Sequence, residues 1–184
     1  MPSTNFLSAP FGGASTAKFE MGGISELYLL PHNKLLSTTN VLDAFGSVVE
    51  VSALALASGS TFQEIGFVEG SASYNDGYKP SATKRYMELA LNFTVDASGN
   101  EAVEQAHQIL LTRRHVALVK RKNNKWYLLG QSDGLVAGES SANSGAKRED
   151  DSAMSFTLTG GNLGFAAEVM LTPAELSAVV TRLA

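Results

Sequence analysis

The string Gly130-Gln-Ser-Asp-Gly134 is the part of this sequence that most resembles a catalytic motif. It matches G-x-S-x-G, in which a strained turn between a strand and a helix presents the serine as a nucleophile. Trp126 to Leu129 predict the strand, but the residues after Gly134 favour no helix. All three histidines also precede Ser132, although hydrolases of this type place the histidine after the serine. We therefore predict a turn at the end of a strand. A serine hydrolase using Ser132 remains the enzymatic alternative.

The remaining chemistry-bearing residues predict no metal or cofactor site. His32, His107 and His115 form no i, i+4 pair and have no carboxylates at a recognised ligand spacing. The chain contains no cysteine, which excludes disulfides and thiolate metal sites. No glycine-rich string has the spacing of a phosphate-binding loop. We expect no catalytic residue, no cofactor and no metal.

Two oppositely charged segments are candidates for a contact between identical subunits. Basic residues surround a predicted hairpin tip, and acidic residues lie in a polar segment with no apolar period. A solvated tip is the simpler interpretation, ahead of a contact with phosphate or with an acidic partner. If both segments project, their charges are self-complementary between copies. The candidate interface residues are Lys120, Arg121, Lys122, Lys125, Glu149, Asp150 and Asp151.

Two helices and one hairpin have clear local signals. Ser98-Gly-Asn-Glu101 is a capping box followed by apolar residues at helical spacing, which predicts a helix that ends near Arg113. The period then changes to two from Val116 to Leu129, which predicts a hairpin against which the helix packs. Thr172-Pro-Ala-Glu175 predicts the start of a short C-terminal helix.

Further strands are predicted from alternation and from β-branched or aromatic content. The pattern favours strands over residues 24–30, 48–56, 62–69 and 87–95, and a second hairpin over 154–169 that turns at Gly160-Gly161-Asn162. Residues 34–46 are mixed and could hold a turn, whereas 70–84 and 137–151 are predicted to be long polar loops. The total is seven to nine strands and two helices.

Composition favours one soluble domain. The chain has 184 residues, of which 44% are hydrophobic and 17% charged, with a formal net charge of -4. Such a chain can bury a core, and its charge opposes general DNA binding. We expect no targeting segment, and no apolar run is long enough to cross a membrane. We expect a flexible N-terminal arm over residues 1–23, ordered by a neighbouring subunit, and a single β-rich domain over 24–184. The expected fold is a β-sandwich or small barrel with one flanking α-helix and a short C-terminal helix.

Three stretches resemble a family of bacteriophage tail proteins of the tail tube or major tail protein type. They are Gly22-Gly-Ile-Ser-Glu-Leu-Tyr-Leu29, Lys125-Trp-Tyr-Leu-Leu-Gly130 with the helix before it, and Phe156-Thr-Leu-Thr-Gly160 after a glycine-rich loop. The similarity lies in the type of residue pattern and in the order of these stretches over most of the chain, and it includes no diagnostic motif. The chain departs from the family in lacking an obvious long hairpin for the lumen, which leaves its role in the tail open.

The resemblance implies a structural virion protein with no catalytic residues. Its fold would be a β-sandwich or small barrel, and its subunits would stack as rings, usually hexameric, into a tube through which DNA passes. The implied partners are other copies of this chain, other tail proteins and DNA that is not bound specifically; no membrane is involved. The protein would be made in the host cytoplasm and reside in the virion tail. A carbohydrate-binding or partner-binding β-sandwich is the remaining alternative.

Overall fold

The computed structural model describes residues 22–44, 46–80, 85–96, 100–143 and 153–182, which are mainly β. Two α-helices are present, α1 (Asn100–Leu111) and α2 (Pro173–Val179). The strands are β1 (Ile24–Pro31), β2 (Leu35–Leu42), β3 (Val48–Leu56), β4 (Phe62–Glu64), β5 (Ser73–Pro80), β6 (Arg85–Asp96), β7 (His115–Arg121), β8 (Trp126–Leu129), β9 (Val136–Asn143), β10 (Ala153–Asn162), β11 (Ala167–Val169) and β12 (Val180–Thr181).

The strands form two sheets of unequal size. The larger sheet has eight strands in the order β12-β4-β1-β7-β8-β11-β3-β2 and curls into a half-barrel. The smaller sheet has four antiparallel strands in the order β5-β6-β10-β9. The turn from β8 to β9 carries the chain from the larger sheet to the smaller one. In this turn, the Leu135 N–H donates to the His115 carbonyl, and the His115 N–H donates to the Leu135 carbonyl.

Two hydrophobic clusters lie on opposite faces of the larger sheet. The first fills the space between the sheets, where Leu29 and Val119 meet Leu91 and Phe93 of β6. The second lies inside the curl of the larger sheet and includes Tyr28, Leu30, Phe62, Val116 and Leu118. Adjacent residues of β1 and β7 are therefore buried in alternating directions. This double burial explains why these strands read as nearly continuous apolar runs.

The two helices cover the clusters at their margins. On α1, Ala106 is buried and Ile109 packs on the cluster between the sheets. The predicted capping box of α2 is confirmed, because the Thr172 hydroxyl accepts the Glu175 N–H while the Glu175 carboxylate accepts the Thr172 N–H. Leu176 on this helix packs on the cluster inside the curl. The predicted cap residue of α1, Ser98, lies outside the described residues.

The predicted mainly-β fold with two helices is confirmed, but several local predictions are wrong. The polar stretch 70–84 contains β5, and the polar stretch 137–151 contains most of β9. Residues 34–46 hold a turn, closed by the Gly46 N–H on the Asp43 carbonyl, but they also contain β2, which was not predicted. The strand expected over 62–69 is only Phe62–Glu64. Twelve strands are found in the described part of the chain, not seven to nine. Low apolar content hid β5 and β9, each of which pairs along one side with a central strand, β6 or β10.

The predicted second hairpin is also wrong. β10 pairs with β6 and β9, whereas β11 pairs with β3 and β8 in the other sheet. Gly160 and Gly161, expected in the turn, continue β10. A Cβ on Gly160 would clash with the Gly134 carbonyl oxygen. Gly160 is therefore required by close packing of β10 against the β8–β9 turn, and not by a hairpin.

Candidate assembly surfaces and the Ser132 turn

Ser132 lies in a tight turn between two strands. The Gly134 N–H donates to the Gly130 carbonyl at 3.0 Å, and both glycines have positive φ. The Ser132 hydroxyl donates to Asn162 Oδ1 at 2.7 Å. The chain continues into β9, so the helix that a nucleophile elbow needs after its serine is not there. This geometry matches the predicted strand-end turn and gives Ser132 a neutral amide partner in place of a general base.

The side chains beside Ser132 tie the turn to neighbouring elements. His32 Nε2 lies 3.2 Å from the Gln131 carbonyl oxygen, and Arg114 forms an ion pair with Asp133. The Gln131 amide donates to the side chains of Thr38 and Asn40 on β2. These bonds anchor the turn against the curled sheet. His115, in contrast, is buried beside it and pairs through Nε2 with the Ile109 carbonyl at 2.8 Å, and burial lowers its pKa.

The basic residues at the β7–β8 tip all have partners within the chain. Lys120 pairs with Glu26 at 2.6 Å, Lys122 with Glu69 at 3.7 Å and Lys125 with Glu168 at 2.9 Å. Arg121 lies over the rings of Tyr74 and Tyr127, and Lys120 lies over Trp126. A neighbouring subunit would have to compete with these contacts. The predicted acidic partners, Glu149, Asp150 and Asp151, lie outside the described residues, so the proposed contact stays a prediction.

Glu26, on the strand beside this tip, has three side-chain partners. Its carboxylate accepts hydrogen bonds from Lys120 and from the Tyr28 hydroxyl, which lies 2.8 Å away, and Arg182 is 3.5 Å from it. Burial opposes ionisation of Glu26, but these donors outweigh it and lower its pKa. Burial and the bond to Glu26 together raise the pKa of Tyr28. The sequence contained no signal for this network, because Lys120 and Arg182 lie far from Glu26 along the chain.

The smaller sheet presents two open edges and one polar face. Among the described residues, neither β5 nor β9 has a strand on its outer side, and each is eight residues long. The outward side chains of the central strands are mostly hydroxyls and amides joined across the ladder: Thr157 donates to Asn92 at 2.8 Å, and Thr94 bonds Ser155 at 3.1 Å. The sequence did not reveal the open edges of this sheet, because the polar composition of β5 and β9 predicts loops.

Asp76 on β5 holds the smaller sheet to the chain segment that enters the larger one. Its Oδ2 accepts the Ala166 N–H at 2.6 Å, while its Oδ1 is buried and has no hydrogen-bond partner among the described residues. Burial raises the pKa of this carboxyl, and the Ala166 N–H only partly offsets the effect. Asp76 is therefore a half-buried titratable group on an open edge strand.

The described residues contain no group of three or more His, Asp or Glu side chains that could hold a metal ion. None of the helices in the described ranges is long and apolar enough to cross a membrane. No protein-family model, no curated protein and no solved structure matches this chain. The function must therefore be argued from the chain's own surfaces.

Proposed function

We propose that this protein is a structural subunit of a bacteriophage tail that self-assembles into rings around a DNA channel. The observation that carries the proposal is the four-stranded sheet, which has a polar outer face and, within the described ranges, two open edges of equal length. The resemblance of the sequence to tail tube proteins supplies the biological setting. The mainly-β fold with flanking helices agrees with that resemblance.

The directions of the strands support the proposed ring. All neighbours in the smaller sheet are antiparallel, so β5 and β9 at its two edges run in opposite directions. If the β9 edge of one copy meets the β5 edge of the next around a rotation axis, the new pair is also antiparallel. Such a contact joins two different surfaces, and it closes into a ring when the rotation between copies closes. The backbone groups of both edges would then be paired.

The outer face of this sheet suits the wall of a DNA channel. Asn92, Thr94, Ser155 and Thr157 are neutral, and the charged pair Lys79–Glu88 is joined at 3.0 Å. DNA binding is driven largely by cationic side chains that neutralise phosphates. A wall without unpaired cations at its centre would let DNA pass without holding it. The net charge of -4 also opposes binding of DNA to the wall.

Negative-stain electron microscopy and light scattering on the concentrated protein test this proposal. We expect rings or short tubes with a central hole. Ser141→Lys places a charge on the β9 edge and should reduce assembly, because adjacent copies would have to bury or displace that charge. Val41→Lys is the matched control, since it alters the exposed edge strand β2 of the other sheet.

Circular dichroism must show that both variants remain folded. A wild-type protein that stays monomeric at every concentration contradicts the proposal. Loss of assembly in Val41→Lys with normal assembly in Ser141→Lys would place the contact on the larger sheet and overturn the assignment of edges. A hydrolase would instead show activity that Ser132→Ala removes, but no contact of Ser132 favours that outcome.

A further inference from the structure

Two pairs of exposed apolar side chains lie near opposite edges of the smaller sheet. Leu110 and Leu111 end α1 and are 42% and 84% exposed. Leu163 and Phe165, on the loop between β10 and β11, are 82% and 68% exposed. Among the described residues, no large apolar side chain is more exposed than Leu111 or Leu163. Contiguous exposed apolar surface is typical of a site that another molecule covers.

The last turn of α1 is held beside the start of β9. The Ile109 carbonyl lies 2.8 Å from Nε2 of His115, and His115 exchanges both backbone hydrogen bonds with Leu135. Leu135 directly precedes β9, which begins at Val136. Leu111 is therefore placed near the edge of the sheet that β9 forms.

The β10–β11 loop is held beside the opposite edge strand, β5. The Ala166 N–H donates to Asp76 Oδ2 on β5 at 2.6 Å. At the other end of the loop, the Leu163 N–H donates to Asn162 Oδ1 at 3.0 Å. Because the loop is fixed at both ends, Leu163 and Phe165 are exposed at a defined place near the β5 edge.

The two anchor points lie at the same level along the strands. Asp76 of β5 pairs with Leu89 of β6, and Leu89 pairs with Gly160 of β10. Gly160 in turn lies against Leu135. One row across the sheet therefore runs from the anchor of α1 to the anchor of the loop. If the β9 edge of one copy meets the β5 edge of the next without a large shift along the strands, this row continues between the copies.

We propose that Leu110 and Leu111 of one copy pack against Leu163 and Phe165 of the adjacent copy in the ring. This contact rests on the edge pairing of the proposed function and adds side chains to it. A polar strand edge held by backbone groups alone can slip in register, whereas an apolar contact at one level fixes the register. The contact joins two different surfaces, so each copy uses one surface toward each neighbour. Residues 1–21 of the predicted N-terminal arm lie outside the described residues, and the proposed contact needs none of them.

Assembly of serine variants tests the energetic part of this proposal. Leu111→Ser and Phe165→Ser should each raise the protein concentration needed for assembly by about tenfold or more, because each removes apolar area that is buried only between copies. Leu36→Ser is the matched control, since Leu36 is 65% exposed but lies on β2 of the larger sheet. It should assemble as the wild type does. Light scattering over a dilution series gives these concentrations, and circular dichroism confirms that each variant is folded.

Cross-linking tests the pairing itself, because the chain has no cysteine of its own. At a concentration at which the wild type assembles, a short bis-maleimide should join an equal mixture of Leu111→Cys and Leu163→Cys proteins into dimers. Each variant alone should give far fewer dimers, since the proposed contact joins two different surfaces. An equal mixture of Leu36→Cys and Leu111→Cys is the control and should give no more dimers than either variant alone.

The outcomes separate this contact from the ring. Normal assembly of both serine variants, with no excess of dimers in the Leu111→Cys and Leu163→Cys mixture, would overturn the contact and leave the ring intact. Cross-linking of that mixture with normal assembly of Ser141→Lys would support the contact and show that the β9 and β5 edges are not paired. A wild-type protein that stays monomeric at every concentration would overturn both proposals.

Discussion

The two sheets of this protein differ in how many of their surfaces the chain itself covers. In β7 of the larger sheet, Leu118 and Val119 point in opposite directions and both are fully buried. In β6 of the smaller sheet, Leu91 is fully buried but Asn92 lies on the outer face. The larger sheet therefore supplies the stable centre of the fold. The smaller sheet contributes one face to the core, and the described residues leave its other face and both of its edges uncovered.

Alanine substitutions at these adjacent positions should give the largest contrast. Leu118→Ala should destabilise the protein by roughly 2–5 kcal/mol and Val119→Ala by somewhat less, because each leaves a cavity on its own face. In β6, Leu91→Ala should cost a similar roughly 2–5 kcal/mol, whereas Asn92→Ala should cost only about 1 kcal/mol through loss of the bond from Thr157.

Urea unfolding followed by circular dichroism measures all four variants. Equal losses for Leu91 and Asn92 would show that the outer face of the smaller sheet is covered in the isolated protein. That outcome would contradict the contrast between the sheets and remove the surface on which ring assembly is proposed.

A substitution where β10 packs against the β8–β9 turn should give the next largest loss of stability. A Cβ on Gly160 would clash with the Gly134 carbonyl and approach Leu135, so Gly160→Ala should destabilise by about 1–3 kcal/mol. Gly161→Ala is the matched control, because a Cβ there meets nothing within 4 Å. Thermal unfolding should show a much lower midpoint for Gly160→Ala than for Gly161→Ala. Equal midpoints would mean that β10 and the β8–β9 turn can separate without cost.

The sequence could predict elements whose signals are local. The Thr172 capping box and the β7–β8 hairpin are encoded within a few residues, and both are confirmed. In β5, Tyr74, Asp76 and Tyr78 alternate with small polar residues, but Asn75-Asp-Gly77 also reads as a turn. The pairing with β6 decides between the two, and that pairing is a property of the tertiary structure.

The partners of the charged residues at the candidate sites could not be predicted from the sequence. The partner of Lys120 is Glu26, which is 94 positions away, and the partner of Lys125 is 43 positions away. A basic tip therefore looked free in the sequence although its charges are paired in the fold. Similarly, the open edges became visible only once two polar stretches had been placed as strands. Charge and composition describe what a segment contains, but not which distant residues meet it.

The pH dependence of stability should have opposite signs in the two regions. The raised pKa of Asp76 means that the folded state binds its proton more tightly, so Asp76 contributes stability at low pH that is lost as pH rises through its folded pKa above 3.8. The lowered pKa of His115 means that stability is lost as pH falls below about 6.5, since the unfolded chain then takes up the proton.

Urea midpoints across pH 4 to 8 for wild type, Asp76→Asn and His115→Gln separate the two contributions. Asp76→Asn should remove the gain in stability on acidification, because the amide cannot take up the proton. An unaltered pH profile in Asp76→Asn would show that its buried oxygen finds a partner in solution.

The smallest effect concerns two ion pairs that differ mainly in exposure. Glu26 and Lys120 lie 2.6 Å apart on the larger sheet with about a fifth of each side chain exposed (21% and 22%), whereas Lys79 and Glu88 lie 3.0 Å apart on the smaller sheet with about half exposed (54% and 47%). Double-mutant cycles with Glu→Gln and Lys→Met changes should give a larger coupling energy for the first pair. The second should couple by no more than roughly 0.2–1 kcal/mol.

High salt should increase the difference between the coupling energies of the two ion pairs. Near 1 M salt the Debye length falls to about 3 Å, which screens exposed charges much more than partly buried ones. The coupling of Lys79 with Glu88 should then fall close to zero, while most of the Glu26–Lys120 coupling remains, because hydrogen bonds from Lys120 and Tyr28 hold the Glu26 carboxylate in place. If both couplings fall equally, the tip of the larger sheet is as open to solvent as the face of the smaller one. Its lysines would then be able to exchange partners with a neighbouring copy.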